Sequence, residues 1–116
     1  KEMQNDFSDA LLLYKRAISK GQSYKSLADL LTSAARCCLQ TGQLEEAESY
    51  ANQAIENDPD FLVALIELGN IEDARNCKEK ADKFFGECLR ISNEKKLPFP
   101  KVSKKIRARA EAYLRQ

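Results

Sequence analysis

Histidine is absent from the 116 residues. That removes the side chain best suited to proton transfer near neutral pH, and a common zinc ligand. Cys37, Cys38, Cys77 and Cys88 form no Cys-x-x-Cys pair. A zinc site would need all four thiolates, at a spacing unlike the usual ligand knuckles. They read instead as small buried thiols kept reduced in an intracellular compartment, cytoplasm or nucleus. With four glycines and three prolines, the chain is neither a disordered segment nor a turn-rich all-β fold. No apolar run approaches the roughly 20 residues that span a bilayer, so no membrane partner is expected. No secretory leader is visible, and Lys1 is not an initiator, which is compatible with an N-terminal address removed earlier.

Catalytic signatures are missing too. The chain has no Gly-x-Ser-x-Gly and no phosphate loop, and its glycines stand singly. Glu45-Glu46 and Glu72-Asp73 are neighbours in sequence, so on a helix they point apart and read as solvated faces. The expectation is a protein that is not an enzyme and uses no cofactor or metal.

What is present favours helices. Apolar residues make up 43%, and alanine, leucine, glutamate, lysine and glutamine are abundant. Apolar residues recur at three- and four-residue steps in about six segments. In residues 1–20, Asn5-Asp6 makes a turn. Phe7, Ala10, Leu11, Tyr14, Ala17 and Ile18 then share a face, and Gly21 ends the run. Residues 24–40 carry a broad apolar face from Leu27 to Leu39, with Ser26 and Asp29 as a capping-box variant. Residues 44–57 follow the Gly42 break and stop at Asp58-Pro59. Residues 61–75 place Gly69 in mid-helix, at a cost of about 1 kcal/mol against alanine, which implies a neighbour too close for a side chain. Residues 78–91 follow the Asn76 turn. Residues 95–101, with Pro98 and Pro100, read as a linker. Residues 102–116 form a last helix with Val102, Ile106, Ala110 and Tyr113 on one face.

Positions 34 apart correspond: Gly42 with Asn76, Ala47 with Ala81, Ala51 with Phe85, Ile55 with Leu89, Leu31 with Leu65, and Ala35 with Gly69. One such helix–turn–helix unit cannot bury its apolar face alone, so copies must stack. The chain resembles the tetratricopeptide repeat family. Leu31, Ala34-Ala35, Gly42, Leu44, Ala47, Tyr50, Ala54 and Pro59 match one whole repeat, 28–61. Leu65, Leu68-Gly69, Ala81, Phe85 and Leu89 match a degenerate one, 62–95, with Asn76, Cys88 and Asn93 replacing Gly, Ala and Pro. Residues 1–21 resemble the second helix of a preceding unit. Residues 102–116 resemble either a capping helix or the first helix of a further unit. The resemblance implies an all-α fold of antiparallel pairs in a right-handed solenoid, here a segment of a longer array.

It also implies a concave groove lined by first helices. By register the lining residues are Asp29, Thr32, Arg36 and Gln40, then Val63, Ile66, Asn70 and Asp73, with Lys104, Arg107 and Glu111 following if the last helix belongs to a repeat. Chaperone-binding members clamp a carboxylate at matching places, but of Thr32, Arg36, Ile66 and Asn70 only Asn70 fits that pattern. The implied function is a protein–protein interaction scaffold that binds a partner segment or helps assemble a complex.

Charge gives the alternative. Residues 95–116 hold eight basic side chains and one acid, so the last helix reads as cationic outside. Lys101, Lys104, Lys105 and Arg107 are the basic patch, a solvated tail or a surface for acidic partners or phosphates. No aromatics interleave for base stacking. The repeats followed by basic stretches are also similar to the repeat subunit of the RNA polymerase III factor TFIIIC, a nucleic-acid-associated assembly.

Overall fold

The computed structural model describes residues 27–116 and Arg16. The first expected helix and the Ser26 cap lie outside the described residues. The described chain is all helix and connection: α1 (Leu27–Gln40), α2 (Leu44–Asn57), α3 (Leu62–Ala74), α4 (Lys78–Lys95) and α5 (Lys104–Leu114). None of these is long and apolar enough to cross a membrane.

The connections explain the packing. Only Thr41–Gln43 join α1 to α2, and only Arg75–Cys77 join α3 to α4, so each helix must fold back on its predecessor. Both turns use one hydrogen-bond pattern, 34 residues apart. Gln43 N–H donates to the Cys38 carbonyl at 2.8 Å and Gly42 N–H to Leu39 at 3.1 Å. Cys77 N–H donates to Glu72 at 2.8 Å and Asn76 N–H to Asp73 at 2.9 Å. This is a Schellman-type helix end, which needs a left-handed residue. Gly42 supplies it at φ 81°, and Asn76 supplies it at φ 63°. Asparagine thus does here what glycine does in the first turn.

Helix α3 is central, packed against α1, α2 and α4. It is accordingly apolar on nearly every side: Leu62, Ala64, Ile66, Leu68, Gly69 and Ile71 are all buried. One core cluster joins Ala34, Ala35, Cys38, Ala47, Ala51, Leu68 and Ile71. Another joins Leu62, Ile66, Ala81, Phe85, Cys88, Leu89 and Ala110. Small residues at these contacts let the helices approach closely. Gly69 is the extreme case, because a Cβ there would sit 2.2 Å from Cε1 of Phe85. The close neighbour expected from its mid-helix glycine is therefore the α4 ring. Gly86 plays the same part toward α5, since a Cβ there would meet the Tyr113 ring.

One expectation near the C-terminus is corrected. Helix α4 runs to Lys95, four residues past the expected end, and closes on Lys96 at φ 55°. Leu97 N–H donates to the Ser92 carbonyl at 2.9 Å, and Ser92 Oγ donates to the Leu97 carbonyl at 2.6 Å. Residues 96–103, close to the 95–101 expected as a linker, connect α4 to α5 but are not polar throughout. Leu97, Phe99 and Val102 pack against the second core cluster. This strap is longer than any other connection in the described chain, and it delivers α5 onto α4. Ser103 Oγ then accepts from Ile106 N–H at 3.3 Å, capping α5.

Candidate functional site

Helices α1 and α3 touch, and the strap passes beside them. Between them lies a cleft of about 560 Å³. Arg36, Val63, Ile66 and Asn70 border it, together with Lys101 from the strap. Five of the residues singled out in the sequence thus meet at one concavity. The same cleft takes in Glu67, Pro100, Val102, Ser103 and Ile106, none of which the register suggests. Ser103 is legible in hindsight as a serine just before a helix. Glu67 carries no local signal, because its partner is 31 residues away.

That partner is Arg36. Its Nε donates to Glu67 Oε2 at 3.1 Å. The arginine side chain is half exposed and the carboxylate nearly buried, at 50% and 6%. A buried acid of this kind is stable only when paired, so the pair fixes the rim of the cleft. Val63 and Asn70 are half-buried. Val63, Ile66, Val102 and Ile106 supply apolar wall, while Arg36, Asn70 and Lys101 supply a polar rim.

The remaining expected groove residues lie elsewhere. Thr32 is buried at 2%, on the packed side of α1 beside Leu31 and Ala35. Its Oγ1 has no hydrogen-bond partner among the described residues, and it offers nothing to an open groove. Ile66, at 4% exposure, shows only an edge to the cleft, because α4 and Ile106 pack over it. Asp29 and Gln40 are exposed near opposite ends of α1 and do not border the cleft. Asp73 is taken up by Arg109, whose Nη1 and Nη2 donate to its two oxygens at 2.7 and 2.9 Å.

Arg109 does not belong to the cationic outer side expected of the last helix. It points inward, at 17% side-chain exposure. Its Nε donates to Asp82 at 2.6 Å, and its guanidinium lies 5.1 Å from the centre of the Phe85 ring. Hydrogen bonding to Asp73 and Asp82 raises its already high pKa against the opposing effect of burial. Burial alone would push Asp82 up, but hydrogen bonds from Arg109 and Lys78 outweigh it and hold the carboxyl below its ordinary value. These ion pairs dock α5 on α3 and α4.

The basic patch divides. Lys101, Lys104 and Arg107 border a second cleft of about 550 Å³ with Phe99, Pro100, Val102, Ala108 and Glu111. Lys105 instead borders a smaller hollow of about 290 Å³ near Asp73 and Arg109. Arg107 is engaged, donating to Glu111 at 3.0 Å and lying 5.0 Å over the Phe99 ring. Lys95 pairs with Asp60 at 2.6 Å.

Three of the four thiols are buried as the sequence suggests. Cys37, Cys38 and Cys88 are buried, Cys77 is half-buried, and none of the four forms a disulfide among the described residues. Burial pushes the Cys88 thiol up to about 12. Burial also raises Cys37, with Arg36 opposing. Among the described residues no three potential metal ligands cluster.

No curated protein and no solved structure matches the chain. The family model described as tetratricopeptide repeat matches residues 3–64, more than half of the 116 residues. Beyond that match, α3 and α4 keep the turn geometry and close small-residue packing of α1 and α2. The chain belongs to the tetratricopeptide repeat family.

Proposed function

We propose that the chain is a non-catalytic scaffold that holds a segment of a partner protein in the cleft between α1, α3 and the strap, as part of a larger assembly. One observation carries this reading. Arg36 from one repeat, with Val63 and Asn70 from the next, converges with Lys101 on a single concavity. Its volume of about 560 Å³ falls in the roughly 300–1,000 Å³ range of ligand pockets. An apolar wall with a few polar groups at the rim suits a short peptide, whose side chains fill the cleft while its backbone is held at the edge. The family match supports an interaction role at this coarse level.

The test is a groove variant, Lys101→Glu with Asn70→Ala, which leaves the Arg36–Glu67 pair intact, compared with the parent chain in co-precipitation. The expected result is loss of the captured partner with the helical circular dichroism retained. Unchanged capture by a folded variant would move the binding surface away from this cleft.

A further inference from the structure

The strap does more than connect two helices. Pro98 and Pro100 each fix a backbone angle and lack an N–H, while Leu97, Phe99 and Val102 anchor the segment in the core. Pro100, Lys101 and Val102 border both large clefts. The strap is thus a ridge, with the apolar wall of Val63, Ile66 and Ile106 on one side and the basic wall of Lys104 and Arg107 on the other.

Charge accounting separates the two sides. Arg36 is neutralised by Glu67, and Arg107 by Glu111. Lys101 and Lys104 are exposed, and neither has a carboxylate within ion-pair distance among the described residues. Among the described residues their positive charge is therefore unmatched; Lys101 stands on the ridge and borders both clefts, and Lys104 lies just across it. We propose that the segment this protein binds is acidic beside an apolar anchor, the apolar side chain entering the cleft at Val63 and Ile66 and the carboxylates meeting Lys101 and Lys104. The inference rests on the groove reading above and names the chemistry of its occupant. Nucleic acid fits less well. Arg107 lies over Phe99, so that ring face is not open to a base, and Arg109 is turned inward onto Asp73 and Asp82.

The experiment is fluorescence anisotropy with the whole chain. The probe is a labelled peptide, acetylated and amidated, with one leucine followed by three glutamates. Amidation ensures that only side-chain carboxylates are read. The comparison probes are the same peptide with glutamines for glutamates, and oligothymidine. The expected result is binding of the glutamate peptide and about tenfold weaker binding of the glutamine peptide, from two exposed charge pairs. Lys101→Ala with Lys104→Ala should weaken the glutamate peptide about tenfold by the same reasoning and abolish discrimination between the peptides. Both lysines are exposed, so the fold is expected to persist, with circular dichroism as the check. Val63→Ser should weaken both peptides alike. The proposal is overturned if the two peptides bind equally, if neither binds, or if oligothymidine binds more tightly than the glutamate peptide. Equal peptide binding that Val63→Ser still weakens would remove the acidic preference and leave the groove reading standing.

Discussion

Replacing Arg109 with alanine should detach α5 from the repeats. The change deletes three charge-assisted hydrogen bonds, two to Asp73 and one to Asp82. It also removes the guanidinium from the face of the buried Phe85 ring. Each such bond contributes roughly 1.5–3 kcal/mol when shielded. Asp73 is 36% exposed and Asp82 21%, so water recovers part of the loss once the arginine is gone. The net cost is then about 2–4 kcal/mol, a large share of the roughly 5–15 kcal/mol that holds a domain together. Urea unfolding followed by circular dichroism should show the lowered midpoint. Amide hydrogen exchange should show α5 losing protection before α1 to α3, since its main helix contact is α4 alone. Arg109→Lys keeps the charge but not the fork that grips Asp73 with two nitrogens, and it should fall between the parent and the alanine variant. A loss below about 0.5 kcal/mol, the usual effect of a plain surface change, with α5 protection intact, would refute the idea that this arginine docks the helix.

Other consequences are open to simpler checks. Gly69→Ala gains about 1 kcal/mol of helix propensity but collides with a ring that has nowhere to go, so it should lower stability by about 1–2 kcal/mol. Phe85→Leu, itself destabilising, should erase that added penalty in the double variant, a coupling that a double-mutant cycle measures. In thiol labelling at pH 8, Cys77 should react first. Cys88, fully buried and pushed up to about 12, should react only on unfolding; early labelling of Cys88 would contradict the packing of α4. Asp82 has a folded pKa below its unfolded value, so its contribution is present above about pH 3.9, the ordinary aspartate value. That contribution should fade as the pH falls below this through the folded pKa. Acid unfolding of the parent should therefore be steeper in this range than that of Asp82→Asn, and parallel curves would count against the Arg109–Asp82 pair.

Much of the repeat architecture can be read from local chemistry. Gly42 announces its turn because few residues tolerate a left-handed backbone, and Asn76 takes the same place 34 residues on. Gly69 announces a close neighbour because glycine in mid-helix is otherwise a penalty. The end of α4 is less legible. Lys96 occupies the left-handed position without being glycine, and the bond from Ser92 Oγ to Leu97 is not visible in a pattern of types. Arg109 looks like one more surface base in a basic tail. Only the fold brings Asp73 and Asp82, 36 and 27 positions away, to its guanidinium. Thr32 misleads for a related reason, since register assigns it a direction but not what lies on that side. The cleft is half legible: Arg36, Val63 and Asn70 follow from the repeat, while Glu67 and the strap residues depend on tertiary packing.

If the cleft at Val63 holds a partner, a cross-linker placed there will capture it. A photo-crosslinking amino acid placed at Val63, with a control at the exposed Gln53 of α2, tests this most directly in the cell that makes the protein. The expected outcome is a discrete cross-linked product from Val63, reduced by Lys101→Glu with Lys104→Glu, and none from Gln53. No product from Val63, or the same product from both positions, would contradict it.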